Sequence, residues 1–410
     1  MRVIVQKFGG TSLRSPERVR HAAGIVAREV SEGQRVVVVV SAMGDDTDQL
    51  MEKAKQLRSC PPPRELDMLL ATGEQVSMAL FAMALQQLGI GAVSLTGWQA
   101  GIVTDAVHTE AEIREVAKER IYARLAEGNV VIVAGFQGVT EDGEITTLGR
   151  GGSDTTAVAL AAALAAERCD IFTDVDGVFT ADPRIVPSAQ KLACVGYDEM
   201  LTMAHFGANV LHARAVNFAK KYRVPLSVRS SFHDGAGTRI GEGGSRVCGV
   251  ACKGPLAKIT FGDVADLPSV RTLRAHLLAA LPRLSVPDDT LLVGGGAKEL
   301  TVCIGAEHLP RALEILEGER ELLRNAKARY EQGWAQVSLI GAGLCDCDRD
   351  QVRADVLRCV RSVHGDAELF SATDLSISCI VPEESVQEAA GALHRTFGLE
   401  RVAEEKVAIV

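Results

Sequence analysis

The chain has no block of lysine or arginine to set against its acidic balance. Its 410 residues carry 44 Lys+Arg and 53 Asp+Glu, a formal net charge of −9. That balance argues against nucleic acid as the main partner, and any phosphate site must be built locally. A CxxC pair is also missing. The ten cysteines are scattered, with only Cys345 and Cys347 close together, so no zinc or thioredoxin-like centre is indicated and reduced thiols are the default. The opening MRVIVQKFGG carries neither a basic start nor a cleavage region, and uninterrupted apolar runs fall short of a membrane span. A cytoplasmic protein without membrane contact is expected. Neither the Walker pattern nor GxGxxG occurs, which sets aside the two commonest nucleotide signatures.

What is present is an ordinary globular composition, 47% hydrophobic and 24% charged, long enough for two or three domains. Its centre is TLGRGGSDTTAVALAAAL, from Thr147 to Leu164, where a glycine-rich turn runs into an alanine-rich helix. Gly149, Gly151 and Gly152 permit positive φ and close approach, and Ser153, Asp154, Thr155 and Thr156 suit a helix N-terminus. Free N–H groups and the helix dipole favour a phosphate or carboxylate there, and Arg150 adds a planar fork. Asp154 would repel a phosphate unless it holds a cation or orders a lysine. The plain alternative is a glycine turn capping a core helix.

Arg2–Gln6 reads as a strand, followed by Lys7 and the turn Gly9, Gly10, Thr11, Ser12, with a helix from about Pro16. A lysine at the carboxyl end of a strand beside a glycine turn is placed to meet phosphate oxygens, or is a surface lysine. RVVVVV at 35–40 is a strand buried on both faces. Ser41 to Asp48, with Thr47, turns the chain, and a polar connection leads to a helix from about Arg64 to Leu88. Glu74 in that helix reads, in isolation, as a solvated acid. Strands at 93–95 and 130–136 flank a helix from Glu110 to Glu127. After Asp170–Thr173 comes TDVDGVFTADPR, where Asp174 and Asp176 either hold a cation or ribose or belong to a hydrated turn. His205 and His212 lack companions at ligand spacing and read as structural, so no resident metal site is expected. The glycine-rich run 235–244 is the best domain boundary.

Beyond it, two weakly similar units follow. Lys258–Phe261 corresponds to Gln336–Leu339, Val270–Leu273 to Val352–Asp355, and Thr301–Ile304 to Ile377–Ile380. Each reads strand, helix, strand, strand, helix with a period of about eighty residues. Such a duplication after a catalytic half suggests regulation or dimerisation.

Taken together, VQKFGGTSL, VVVVVSAMGDDTDQL, DMLLATGEQVSMAL, TGWQAG, VIVAGFQG, TLGRGGSDTTAVALAAAL and TDVDGVFTADPRIVPSAQKL, in that order, resemble the aspartate kinases over residues 7 to about 231. The resemblance implies the α/β amino acid kinase fold, a mostly parallel sheet between helices, over 1–245, then ACT-like α+β modules at 246–330 and 331–410. It implies transfer of the ATP γ-phosphoryl group to the side chain of L-aspartate, with Mg²⁺, in the synthesis of lysine, threonine and methionine. Lysine or threonine are the implied effectors, and a homodimer or larger homo-oligomer the implied assembly.

By the same resemblance Lys7 stabilises phosphoryl oxygens, Gly9 and Gly10 approach the phosphates, and Asp154 orders the lysine or the metal. Arg150 clamps the substrate α-carboxylate, Glu74 takes its ammonium group, and Ser41, Thr47 and Ser153 complete the pocket. Thr173, Asp174, Phe179 and Arg184 line the nucleotide site. The sequence departs from the family pattern at Asn209, where many relatives carry a second phosphate-binding lysine, and at Ala213, where proline is common. Loss of that charge should slow transfer unless Lys220, Arg214 or a metal compensates. The stretch Val286–Gly296 lacks the amide side chains expected of an effector site, which suggests weakened or altered feedback. Two other readings are a different amino acid kinase, acting on acetylglutamate, glutamate or a nucleotide, and a regulatory homologue of low activity.

Overall fold

The computed structural model describes residues 2–208, 210–244, 247–262, 291–292, 300–318, 327–344, 349–365 and 367–401. In chain order the first part comprises β1 (Val3–Phe8), α1 (Pro16–Ser31), β2 (Arg35–Val40), α2 (Asp46–Leu57), α3 (Pro63–Gln87), β3 (Ala92–Leu95), β4 (Ile102–Thr104), β5 (Ile113–Val116) and α4 (Glu119–Ala126). It continues with β6 (Val130–Ala134), β7 (Gln137–Val139), β8 (Ile145–Thr147), α5 (Gly152–Ala163), β9 (Cys169–Thr173), β10 (Cys194–Gly196), α6 (Tyr197–His205), α7 (Ala213–Tyr222), β11 (Leu226–Ser230) and β12 (Thr238–Gly241).

An eight-stranded sheet in the order β10-β12-β11-β9-β1-β2-β6-β3 forms the centre. Its pairs are parallel except β11 with β12. Because side chains alternate along a strand, β1 feeds both faces. Val3 and Val5 pack with Val37, Val39, Val131 and Val133 against Ala157, Val158 and Leu160 of α5. Ile4 and Phe8 pack with Val36, Val38 and Val40 against Val19 and Val26 of α1 and Phe81 and Leu85 of α3. Burial on both faces is why β2 is an unbroken valine run. Lys7 continues the Val3–Val5 series and therefore lies on the α5 side. A smaller sheet, β5-β4-β7-β8, leads into the central turn.

Three local expectations change. The helix read from Glu110 to Glu127 is instead strand β5 followed by α4, because Ile113 and Val116 are β-branched and pair with β4. The turn and polar connection after Ser41 contain α2, a helix with no buried residue and so no burial pattern to betray it. The glycine-rich run 235–244 includes β12, which sits inside the central sheet between β10 and β11.

The second part is a six-stranded sheet, β14-β15-β13-β16-β18-β17, made of β13 (Gly249–Gly262), β14 (Leu291–Leu292), β15 (Leu300–Gly305), β16 (Lys327–Ile340), β17 (Glu368–Ala372) and β18 (Ser376–Pro382). The helices Leu309–Gly318, Arg349–Val363 and Val386–Thr396 accompany it. β13 and β16, which hold the corresponding stretches Lys258–Phe261 and Gln336–Leu339, pair antiparallel. Asn209, Val270–Leu273 and most of Val286–Gly296 lie outside the described residues.

Candidate active site

The carboxyl end of β1 lies where the chain leaves the sheet toward β2 on one side and is met by β9 on the other. In open α/β sheets that is where ligand crevices form. Lys7 pairs in register with Val39 and Ile171 there. Its ammonium stands 2.6 Å from Asp154 Oδ1, with both side chains only about a tenth exposed. Asp154 comes from the first turn of α5, so the strand end and the helix N-terminus meet in one ion pair.

Glycines bring the neighbouring backbones close. A Cβ on Gly10 would lie 2.9 Å from the Ala42 carbonyl oxygen, and one on Gly9 3.5 Å from Lys7 Nζ. Gly44 N–H donates to Gly10 O, and Ser41 N–H to Phe8 O, which ties the turns after β1 and β2 together. Ser41 and Thr47 are half-buried along this second turn, Thr47 in the first turn of α2.

On α3, Gly73 permits close packing, since a Cβ there would meet the Ala42 methyl at 2.9 Å. The next residue, Glu74, is buried. Its Oε1 accepts from Ala42 N–H at 3.1 Å, and its Oε2 has no hydrogen-bond partner among the described residues. Burial pushes this carboxyl up to about 8, against the opposing pull of its backbone hydrogen bonds. A carboxyl raised this far is mostly protonated at pH 7, its proton on the unpartnered Oε2, and it ionises only when a cationic group docks there. The solvated-acid reading of Glu74 is thus replaced, because α3 lies against the turn after β2.

The central turn is shaped as its glycines suggested. Gly149 and Gly151 have φ of +72° and +69°, and Gly151 caps α5 in the left-handed region. Ser153, Asp154, Thr155 and Thr156 are all buried. Thr156 Oγ1 donates to Gly152 O and accepts from Phe136 N–H, locking the turn to the end of β6. Arg150 is exposed and makes no hydrogen bond or ion pair among the described residues, so its place is set by the turn alone.

The remaining candidates stand at the ends of β9 and β11. Thr173 donates to Asp174, while Ser231 donates to Thr173 O and receives the hydroxyl of Ser12. Phe179 is half-buried and bridges Lys191. Arg184 is exposed and paired with Asp182 at 2.6 Å, with Asp174 near enough to add a weaker attraction. Asp176 pairs with His233. No cluster of three acids, histidines or cysteines suited to a metal occurs among the described residues.

Several residues take parts that sequence reasoning did not assign to them. Arg214 Nη1 donates to Leu148 O at 2.7 Å and Nη2 to Ala111 O at 3.3 Å, so this arginine braces the turn. Lys220 is paired with Asp198. Neither is left free as the substitute charge suggested beside Asn209. His212 packs against Gly151, where a Cβ would lie 2.2 Å from its own Cβ. Burial foremost pushes the His212 imidazole down, with nearby Asp154 opposing. Asp67 on α3 is fully buried and accepts from His108, Thr109 and Thr147. Its spacing of seven residues from Glu74, one helical face, was the available signal.

The sequence model of the Amino acid kinase family matches residues 2–230. An aspartokinase of Geobacillus stearothermophilus is 47% identical over 418 residues, covering 100% of both chains. The chain belongs to the amino acid kinase family, among the aspartokinases. A solved structure of E. coli aspartokinase III in complex with aspartate and ADP (R-state) matches with a TM-score of 0.77 at 26% identity, covering 96% of this chain and 99% of that one. The same relative in complex with lysine and aspartate (T-state) gives 0.75 at 25% identity, over 96% and 99%. Within this aspartokinase, α3 is the one helix among the described residues long and apolar enough to cross a membrane by length and composition. Its packing on the central sheet, with Asp67 and Glu74 buried in it, accounts for that composition as a core helix.

Proposed function

We propose that the chain transfers the γ-phosphoryl group of ATP to the side-chain carboxylate of L-aspartate, forming 4-phospho-L-aspartate and ADP. The Lys7–Asp154 ion pair at the N-terminus of α5, beside the Gly9–Gly10 turn, carries this reading. An aspartate side chain, with a pKa near ~3.9, is already an ionised nucleophile at neutral pH. No general base is needed, and catalysis rests on alignment and charge neutralisation. Lys7 meets the phosphoryl oxygens, and Asp154 holds that ammonium in place. Gly9 and Gly10 let phosphates reach the backbone. Arg150 takes the substrate α-carboxylate, Glu74 its ammonium, and Ser41, Thr47 and Ser153 border the pocket. Thr173, Asp174 and Phe179 face the nucleotide, and Arg184 can join them only by leaving Asp182.

Mg²⁺ arriving with ATP would supply neutralisation of phosphate charge. With Asp154 engaged by Lys7 and no preformed acidic cluster among the described residues, the ion would come in with the nucleotide rather than be held beforehand by side chains. We further propose a division into 1–245, 246–330 and 331–410, with the latter two as ACT-like modules that form a homodimer or larger assembly in a cytoplasmic enzyme of aspartate-family amino acid synthesis. The lysine complex of the E. coli relative supports lysine as the first effector to test. Feedback is proposed to be weak, since Val286–Gly296 carries no amide side chain.

The test is trapping of the acyl phosphate with hydroxylamine, using ATP, Mg²⁺ and L-aspartate, with and without lysine and threonine. Aspartate-dependent hydroxamate supports the reading. Its absence favours a regulatory homologue, and abolition by either amino acid overturns weak feedback.

A further inference from the structure

Asp67 is 0% exposed. Its carboxylate accepts from Thr147 Oγ1 at 2.5 Å, from Thr109 N–H at 3.0 Å, and from His108 Nδ1 at 2.7 Å. A buried anion with unmet hydrogen-bonding capacity is costly, so these donors are held firmly in place. Each donor lies next to the turn that bears Arg150. Thr147 ends β8 one residue before Leu148, and its carbonyl accepts from Ala111 N–H at 2.9 Å. Thr109 is held at φ +71°, an uncommon conformation for a β-branched residue, and its carbonyl stands 3.1 Å from where a Cβ on Gly149 would be. Strain of this kind persists only where surrounding contacts impose it.

We propose that Asp67 is a positioning residue that sets the distance between Glu74 and Arg150. The inference rests on the substrate roles proposed above for those two groups. Asp67 and Glu74 lie seven residues apart on one face of α3, two turns of a single rigid rod. One end of the rod presents the acceptor for an ammonium group. The other grips the strand end and loop that brace the Arg150 turn. Among the described residues Arg150 has no side-chain partner, so the backbone beneath it fixes its reach to an α-carboxylate. An α-amino acid is then recognised by a spacing that Asp67 enforces without touching the substrate. Lys7, Gly9 and Gly10 belong to the β1 turn, which Asp67 does not contact, so nucleotide binding is independent of it.

Steady-state kinetics of Asp67→Asn, Thr147→Val and Thr147→Ser against wild type tests this. Loosening a binding geometry by a fraction of an ångström carries large penalties, so Asp67→Asn is expected to raise the aspartate KM by about tenfold or more with the ATP KM unchanged. Thr147→Val removes one donor and keeps the volume, so it stays readable if Asp67→Asn fails to fold. It should give a smaller rise of the same kind, and Thr147→Ser, which restores the hydroxyl, should return the wild-type value. A folded Thr147→Val protein with an unchanged aspartate KM, or with both KM values raised alike, overturns the inference. Wild-type enzyme without aspartate-dependent hydroxamate overturns the underlying functional reading instead, an outcome distinct from an active enzyme whose variants keep their aspartate KM.

Discussion

At the scale of single residues, Glu74 and Lys7 illustrate opposite ways of placing charge in a dry site. Glu74 is raised from 4.5 to about 8 by burial, so the folded chain keeps a proton that the unfolded chain releases between those values. Its contribution to stability therefore falls as pH rises through that window. Thermal unfolding of the unliganded protein should show the fall, and Glu74→Gln should flatten it while weakening aspartate binding. Docking of an ammonium group ionises Glu74, so calorimetry in buffers of different ionisation enthalpy should detect about one proton released near neutral pH. Lys7 and Asp154 instead neutralise each other at 2.6 Å. Lys7→Met alone strands a nearly buried carboxylate and should cost on the order of 3 kcal/mol in urea unfolding, with turnover reduced by at least about 10²-fold. Lys7→Met combined with Asp154→Asn should regain the stability and none of the turnover, which separates the structural from the chemical part of the pair.

At the scale of elements, the start of α5 is the most constrained junction. Gly151 is left-handed and leaves no room for a methyl group against His212, the residue that precedes α7. Gly151→Ala should destabilise by at least about 2 kcal/mol and displace Arg150, seen as a raised aspartate KM. Gly143, at φ +86° with nothing within 4 Å of an added Cβ, provides the comparison. Gly143→Ala bears only the left-handed strain, about 1–2 kcal/mol, and should leave kinetics unchanged. The same logic explains α2, whose packing is limited to half-buried residues such as Leu50, Met51 and Ala54 and whose sequence accordingly announced little.

At the scale of the whole molecule, the segment after Phe179 is shared between the two parts. Ala181 and Val186 belong to the core formed by Val337, Val356 and Leu393 of the C-terminal sheet and helices. Thr180 O accepts from Val250 N–H at 2.7 Å, and Thr180 Oγ1 meets His394 Nε2 at 2.8 Å. Burial pushes the His394 imidazole below its ordinary 6.5, and its Nδ1 is buried without a partner among the described residues. A protonated ring would bury an unmet N–H there. Unfolding frees the ring to take up a proton, so this contribution is intact above about pH 6.5 and is lost as pH falls below it. Melting temperatures should drop on acidification, less steeply in His394→Gln, with His212 supplying a second component of the same sign.

The local sequence was enough for whatever depends on near neighbours. The valine run of β2, the Val3–Val5–Lys7 alternation of β1 and the Gly149–Gly152 turn into α5 each require only a strand period or a glycine conformation. Lys7, Asp154 and the glycines were legible for that reason, as was the strand character of Lys258–Phe261 and Gln336–Leu339. Tertiary structure alone decided the burial of Glu74 against Ala42, the convergence of His108, Thr109 and Thr147 on Asp67, the commitment of Arg214 to the turn and of Arg184 to Asp182, and the pairing that turns 113–116 into a strand. Burial, a shifted pKa and a satisfied anion are properties of what arrives from elsewhere in the chain. No window of sequence around Glu74 or Asp67 contains the groups that give either residue its character.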